Sequence, residues 1–310
     1  MSSADNSAWL LRVPASSANL GPGFDALGLG LGIWLTCRFR RAPELRVRVH
    51  GRDAALIPES EANLIWQTAL RVGADCASRL PFIELEIDNQ IPLGKGLGSS
   101  AAALTAGVVI ADRLLGLNWK KPRVLNEAAH IEGHPDNVAA CVLGSVVASA
   151  IDAGGAARAV RLEMPERFEA AVVTPDFMLP TVEARAALPE AYSKRDAVFN
   201  VQRAALLMAA LASGNTSAFP TALEDAMHQP FRARLVPGLD EILRLRAPGL
   251  LGCTLSGAGP SVLVFHEIGH REVCELVRQI FAMHGHESEA FHPGVARDGY
   301  SIEEDHQPWT

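Results

Sequence analysis

No uncharged apolar run in this 310-residue chain is long enough to cross a bilayer; the longest, Val138–Ile151, stops short of the roughly 18–20 residues that a membrane helix needs. Excess positive charge is lacking too. Lys plus Arg number 28 against 35 Asp plus Glu, and a net charge of −7 speaks against a protein that grips nucleic acid or another polyanion through a basic face. The first residues carry Asp5 and no basic cluster ahead of an apolar stretch, so neither a secretory nor a transit signal is expected and the chain reads as cytoplasmic. Cysteine is sparse: Cys37, Cys76, Cys141, Cys253 and Cys274 are odd in number and widely spaced among apolar or small neighbours. That pattern fits reduced core residues, not a disulfide frame or a zinc knuckle. The G-x-S-x-G elbow of serine hydrolases is also missing.

What the chain does have is enough apolar residues, 48% against 20% charged, to bury a core of about two domains' size. Leu31 to Phe39 and Leu45 to Val49 alternate apolar with polar residues at period two, which predicts half-buried strands that are antiparallel neighbours. Ile83, Leu85 and Ile87 alternate with Glu84 and Glu86 in a third strand. The Ala-rich segment Ser99 to Leu115, closed by Gly116, predicts a helix. Further helices are expected over Asn63–Ala77, Pro122–Ile131, Ala197–Ala212, Leu239–Leu245 and Arg271–His284. Beyond the Gly-rich stretch Ala153–Arg158 the order changes to a strand at Ala170–Val173, helices, and a strand pair around Ser256–Pro260. A domain boundary is placed there, giving domains over residues 1–160 and 161–310. The tail from Gly299 reads as a solvated end whose one strong apolar group is Trp309.

The most informative string is PLGKGLGSSAA, Pro92–Ala102. Alternate glycines let the backbone approach a ligand closely, and the serines open a helix whose first amides are unpaired, a ready site for phosphate. Lys95 precedes Gly96 instead of Ser or Thr, so this is no Walker A loop, and Ser99 stands where a dinucleotide fingerprint has its third glycine. Val13–Leu31 surrounds Ser16, Ser17, Asn19 and Asp25 with glycine and proline, as either a structural loop or a substrate wall would. Gly257, Ala258 and Gly259 suggest a turn that something else approaches closely. IEGHPDNV clusters Glu132, His134, Asp136 and Asn137 at a helix end, a candidate metal and substrate constellation. HEIGH, His266–His270, matches the zinc-protease string, but it follows an apolar strand and contains Gly269, so no zinc site is expected. His130 and His134 are separated by Gly133 and do not share a helix face.

Taken together, Val13–Leu31, Pro92–Ala102 and Leu255–Val262 resemble motifs one, two and three of the GHMP small-molecule kinases, in that order. ASSANLGPGFD, EGHPDNV, LPTVEAR (Leu179–Arg185) and HQPFR (His228–Arg232) are similar to the homoserine kinases among them. The resemblance implies a two-domain α+β fold, ribosomal-protein-like in its N-terminal domain and ferredoxin-like in its C-terminal one. It also implies ATP with Mg²⁺, phosphorylation of the side-chain hydroxyl of L-homoserine, and a place in threonine biosynthesis. By the same resemblance Asn63, Pro92, Leu93, Gly94, Lys95, Gly96, Leu97, Gly98, Ser99, Ser100 and Ala101 bind the nucleotide. Ser100 and Glu132 hold Mg²⁺, and Asn137, Lys95, Ser100 and Glu132 form the catalytic set. Asn19, Asp25, His134, Asp136, Asn137 and Gly257 line the substrate site, with Arg185 and Arg232 at its carboxylate. Related kinases use an Asp near Asn137, and an amide cannot serve as a base. The alternatives are a kinase of this class for another small alcohol and a nucleotide-binding regulator without turnover. A homodimer is an expectation that the sequence does not fix.

Overall fold

The computed structural model describes residues 7–309, so the reading of the N-terminus around Asp5 lies outside the described residues. The chain opens with a long hairpin, β1 (Ala8–Ala18) and β2 (Leu27–Arg41), followed by β3 (Arg46–Gly51), α1 (Leu64–Asp75) and β4 (Ile83–Asn89). Three helices come next, α2 (Ser99–Leu115), α3 (Lys121–Glu132) and α4 (Asp136–Leu143), then a second hairpin of β5 (Val146–Ile151) and β6 (Ala157–Leu162). After β7 (Phe168–Pro175) the chain is helical through α5 (Thr181–Ala186), α6 (Lys194–Ser213), α7 (Phe219–Ala222), α8 (Gln229–Arg232) and α9 (Leu239–Arg244). It ends in β8 (Leu250–Leu255), β9 (Val262–Glu267), α10 (Val273–Met283), β10 (Ser288–Phe291) and β11 (Ser301–Glu304). Among the described residues no helix is long and apolar enough to cross a membrane.

The first sheet runs β11-β1-β2-β4-β3, with β5 paired to the start of β2 and β6 outside it; the second runs β10-β7-β9-β8. Position 160 falls inside β6, and β11 returns the C-terminus to the first sheet. The expectation that β2 and β3 are neighbours is corrected. β4 lies between them, antiparallel to β2 and parallel to β3. Charge explains the order, because β2 and β3 both carry arginines on their solvent face and β4 carries glutamates. Arg40 meets Glu84 at 2.6 Å and Arg38 meets Glu86 at 3.0 Å on one side, while Arg48 reaches Glu86 at 3.3 Å from the other. Direct pairing of β2 with β3 would set like charges across the ladder.

The tail is corrected in part. Most of its residues are exposed, as expected, but it is not a free end: β11 pairs antiparallel with β1, Asp305 binds Arg38 at 2.7 Å, and the Trp309 ring lies under Arg38 and Arg40 at 4.8 and 4.5 Å. The outer edge of β1 would otherwise present an unpaired row of amides and carbonyls.

Helix α2 is buried without interruption from Leu104 to Asp112, packed against α1, α3 and β1, and each fully buried Leu, Ile or Val there contributes about 1.5–3 kcal/mol over exposure. Strands β7 and β9 are buried on both faces, so they read as apolar runs. Phe168, Val172, Leu263 and Phe265 face the large core, whereas Val173, Val262 and Val264 face α9 and α10. The end of α2 that starts at Ser99 therefore comes to lie beside the β8–β9 turn.

Candidate active site

The Gly-rich loop turns three times through left-handed backbone, at Gly94 (φ 65°), Gly96 (φ 75°) and Gly98 (φ 67°). These turns let its carbonyls face the protein: Gly94 O accepts from Leu179 N at 3.0 Å, Lys95 O from Ser261 N at 3.2 Å and Leu97 O from Ser16 N at 3.0 Å. Gly96 O takes the Ser256 hydroxyl at 2.7 Å. Carbonyl dipoles would repel an anion, and here they are turned away from the cleft. Gly98 caps α2 without a side-chain hydrogen bond, and the amides of Ser99, Ser100 and Ala101 have no acceptor among the described residues. A phosphate fits such a helix end.

Across from the loop, α3 ends at Glu132 and α4 begins at Asp136. The Ser100 hydroxyl donates to Glu132 Oε2 at 3.4 Å. Burial raises the Glu132 carboxyl above its usual range, and the negative charge of Asp136 adds to the rise, against the opposing pull of His134, Ser100 and Arg185. Burial disfavours charge on His134 as well, but its hydrogen bond to Asp136 and the charges of Asp136, Glu132 and Asp25 outweigh that, so its pKa is raised. One hydroxyl and one desolvated carboxylate are the hard oxygen donors that Mg²⁺ takes while keeping several waters. Asp25, His134 and Asp136 also place ligand atoms within 4.8 Å of one another. Those three are otherwise engaged, His134 Nδ1 with Asp136 Oδ1 at 2.7 Å and Asp25 with Arg185. Asn137, the next residue, accepts the Ser16 hydroxyl on Oδ1 at 2.8 Å.

The remaining wall carries the two arginines. Arg185 grips Asp25 through two hydrogen bonds, both 3.1 Å. Asp25 is positioned in turn by Asn19, whose Oδ1 accepts Asp25 N at 3.1 Å while its Nδ2 donates to Gly257 O at 2.9 Å. Arg232, only 2% exposed, donates to Ala184 O at 3.2 Å and Gly257 O at 3.1 Å, and has no carboxylate partner among the described residues. Its third partner is His228 Nδ1 at 3.2 Å. That nitrogen is an acceptor, because His228 Nε2 sits 2.7 Å from Gly21 O and must carry the proton. Burial, then the nearby charge of Arg185, pulls the Arg232 pKa down. The charges of Asp25 and Asp225 oppose that fall from a distance, but neither carboxylate touches the guanidinium, and a buried cation with no directly bonded carboxylate suits an anionic group on a ligand.

The cleft thus collects Asn19, Asp25, Gly94, Gly96, Leu97, Gly98, Ser99, Ser100, Glu132, His134, Asp136, Asn137, Arg185, Arg232 and Gly257. Lys95 is placed elsewhere: its ammonium donates to Pro175 O at 2.7 Å and Phe177 O at 2.6 Å, outside the cleft. Asn63 is the buried N-cap of α1, with Oδ1 taken by Ile65 N at 3.0 Å and Nδ2 by Pro58 O at 2.8 Å. Pro92 and Leu93 lie on the far side of the loop with Asp53, and Ala101 is buried in α2. Sequence reasoning did not single out Thr181, Ser16 as a partner of Asn137, or His228 as a brace of Arg232. Alternation from Leu11, Val13 and Ala15 gave no signal for Ser16, because the register of β1 shifts between Pro14 and Ala15. A cavity of about 400 Å³ beside His266 is roomier than the cleft, but its carboxylates are already paired, Glu169 with Arg271, Glu166 with Arg297 and Glu163 with Arg161 outside the lining.

A cleft that joins unpaired helix-end amides to hydroxyl, carboxylate and guanidinium groups suits a small-molecule phosphotransferase, and the family models make the class that of the GHMP kinases. The GHMP kinases N terminal domain matches residues 63–145 and the GHMP kinases C terminal domain residues 207–272. Homoserine kinases from Solibacter usitatus and Deinococcus radiodurans are 66% identical over 300 residues (97% of this chain, 99% of that protein) and 46% identical over 259 residues (83% and 84%). The crystal structure of homoserine kinase from Cytophaga hutchinsonii superposes with a TM-score of 0.82 at 27% identity, covering 98% of this chain and 99% of that one. The chain belongs to the homoserine kinase family, and it has the two-domain α+β kinase fold that its three motifs led us to expect.

Proposed function

We infer that this chain transfers the γ-phosphoryl group of ATP to the side-chain hydroxyl of L-homoserine, giving O-phospho-L-homoserine for threonine biosynthesis. The observation that carries the choice of acceptor is Arg232, a buried guanidinium that lacks a carboxylate and faces the cleft beside the phosphate-binding loop. Its planar fork suits an α-carboxylate, and the Asp25–Arg185 pair offers one group for the ammonium of an amino acid and a second for its carboxylate. The amides of Ser99–Ala101 hold the phosphates. Ser100 and Glu132 would hold a Mg²⁺, which supplies neutralising charge on the phosphate oxygens. Asn137 orients the reacting groups but cannot accept the hydroxyl proton as a base. The new O–P bond forms as the O–P bond to ADP breaks and the hydroxyl proton passes to an oxygen of the transferred phosphoryl group, with position and charge lowering the barrier. In this reading residues 1–160 form the ATP-binding domain and 161–310 the second, with the last strand returned to the first, in a cytoplasmic enzyme. Lys95 contributes by pinning the loop to the end of β7.

The test is ADP release with ATP and Mg²⁺ across homoserine, its decarboxylated analogue 3-aminopropanol, serine, threonine and mevalonate. Losing charge-assisted bonds of about 1.5–3 kcal/mol should make 3-aminopropanol at least roughly tenfold poorer in kcat/KM. Equal use of homoserine and 3-aminopropanol would remove the carboxylate argument. Glu132→Gln addresses the metal: loss of one anionic ligand should raise the Mg²⁺ concentration for half-maximal rate by about tenfold and lower kcat. An unchanged Mg²⁺ dependence would take Glu132 out of the metal site.

A further inference from the structure

Ser16 lies in β1, is 0% exposed, and directs its hydroxyl to Asn137 Oδ1 at 2.8 Å across 121 residues of sequence. Cys141 Sγ is 3.2 Å from Pro14 O and 3.6 Å from Ser16 Oγ. The thiol has one hydrogen, and the carbonyl is both nearer and the stronger acceptor. Among the described residues the Ser16 hydroxyl therefore has one strong acceptor for its own hydrogen, Asn137 Oδ1, since the Cys141 sulfur at 3.6 Å accepts only weakly. A buried hydroxyl that fails to donate is disfavoured enough to bias the two amide orientations by roughly five- to a hundredfold.

We propose that Ser16 is a positioning residue that holds the Asn137 amide with its oxygen inward and its NH₂ toward the cleft. This rests on the phosphoryl transfer proposed above. The amide nitrogen makes no hydrogen bond among the described residues, and Asn137 shares the cleft with Ser100, Glu132 and His134. A donor there can meet a phosphate oxygen or a lone pair of the acceptor hydroxyl; an amide turned over would present its carbonyl to those same electron-rich atoms and repel them. Asn137 N, bound to Asp136 Oδ1 at 2.7 Å, fixes the backbone but not the side-chain end. Among the described residues only the serine hydroxyl hydrogen-bonds to one end of the amide and so distinguishes the two.

Ser16→Ala is expected to lower kcat about tenfold while leaving KM for ATP and homoserine within roughly threefold, because the bound state is held elsewhere. In an Asn137→Ala background Ser16→Ala should cost nothing further. A wild-type kcat in Ser16→Ala, or the same tenfold loss with Asn137 already removed, overturns the proposal. The amide orientation is read separately, from the side-chain ¹⁵N resonance that disappears in Asn137→Ala. It should shift when a non-hydrolysable ATP analogue binds the wild type and respond more weakly in Ser16→Ala; no response in the wild type also overturns the proposal. The wild-type rate on homoserine, taken in the same assay, tests the functional reading on its own, since the resonance does not depend on which alcohol is phosphorylated.

Discussion

Gly98→Val is expected to abolish phosphoryl transfer, by at least about a thousandfold, and to lower the thermal midpoint as well. Gly98 holds φ 67°, and a Cβ on it would stand 2.0 Å from Ser16 Oγ and 3.1 Å from Asn137 Oδ1. Left-handed backbone alone costs a residue with a Cβ about 1–2 kcal/mol, and a β-branched one more. The clash leaves two ways to relax. If the loop moves, the Leu97–Ser16 backbone bond lengthens and the amides of Ser99–Ala101 lose their aim; if Ser16 moves within β1, Asn137 loses its anchor. Either response reaches the reacting groups, so no relaxed state keeps the wild-type rate. Gly116, which ends the same helix at φ 65° and has open space for 4 Å around the place a Cβ would take, isolates the backbone strain. Gly116→Ala should cost about 1 kcal/mol of stability and leave turnover intact. Calorimetric titration with ATP, together with circular dichroism, separates the cases. Unchanged ATP affinity in Gly98→Val would place the phosphates elsewhere.

Much of this architecture was legible because local rules and tertiary packing agree. Helix α2 begins at Ser99 and ends at Leu115 as the Ala-rich run and its flanking glycines require. Period two identified β2, β3 and β4 but gave no order, since alternation reports which face is buried and not which strand lies alongside. The glutamates of β4 between two arginine-bearing strands held that information, in charge pattern. The tail's exposure was read correctly, but its polar residues gave no sign of the strand pairing with β1 or of the surface that Arg38 and Arg40 supply for Trp309. In the site, the residue types and their strings could be read, whereas the pairings could not. Asp25 and Arg185 are 160 positions apart, and each was expected to meet substrate; the structure has them bound to one another. Lys95 shows the limit most plainly. A lysine in a phosphate loop invites an electrostatic role, yet the loop carbonyls face the protein, and two carbonyls at the end of β7 capture the ammonium.

Arg232→Leu is expected to raise KM for homoserine by about a hundredfold while ATP binding is spared, on the basis of two charge-assisted bonds of about 1.5–3 kcal/mol each. The effect on stability should be far smaller, and the reason lies in what the guanidinium leaves behind. Gly257 O keeps a donor, Asn19 Nδ2 at 2.9 Å, so only Ala184 O and His228 Nδ1 lose theirs. An orphaned neutral acceptor costs about 1–3 kcal/mol, but removing a buried cation without an ion pair returns part of its desolvation penalty. Leucine also packs against Phe24, whose ring lies 5.6 Å from the guanidinium carbon. The arginine is thus poorly explained as a brace and well explained as a ligand for an anion. Arg185 provides the contrast: half-exposed and already paired with Asp25, it gives up an internal bond to bind a carboxylate, so Arg185→Leu should cost less. The deciding measurement sets homoserine beside 3-aminopropanol in the wild type and both variants, with thermal midpoints. A clamp on the carboxylate predicts that Arg232→Leu loses its preference for homoserine while its residual rate on 3-aminopropanol stays near that of the wild type. If both substrates fall together and the midpoint drops by ten degrees or so, Arg232 is holding α8 to the β8–β9 turn and the carboxylate must be bound by Arg185 alone.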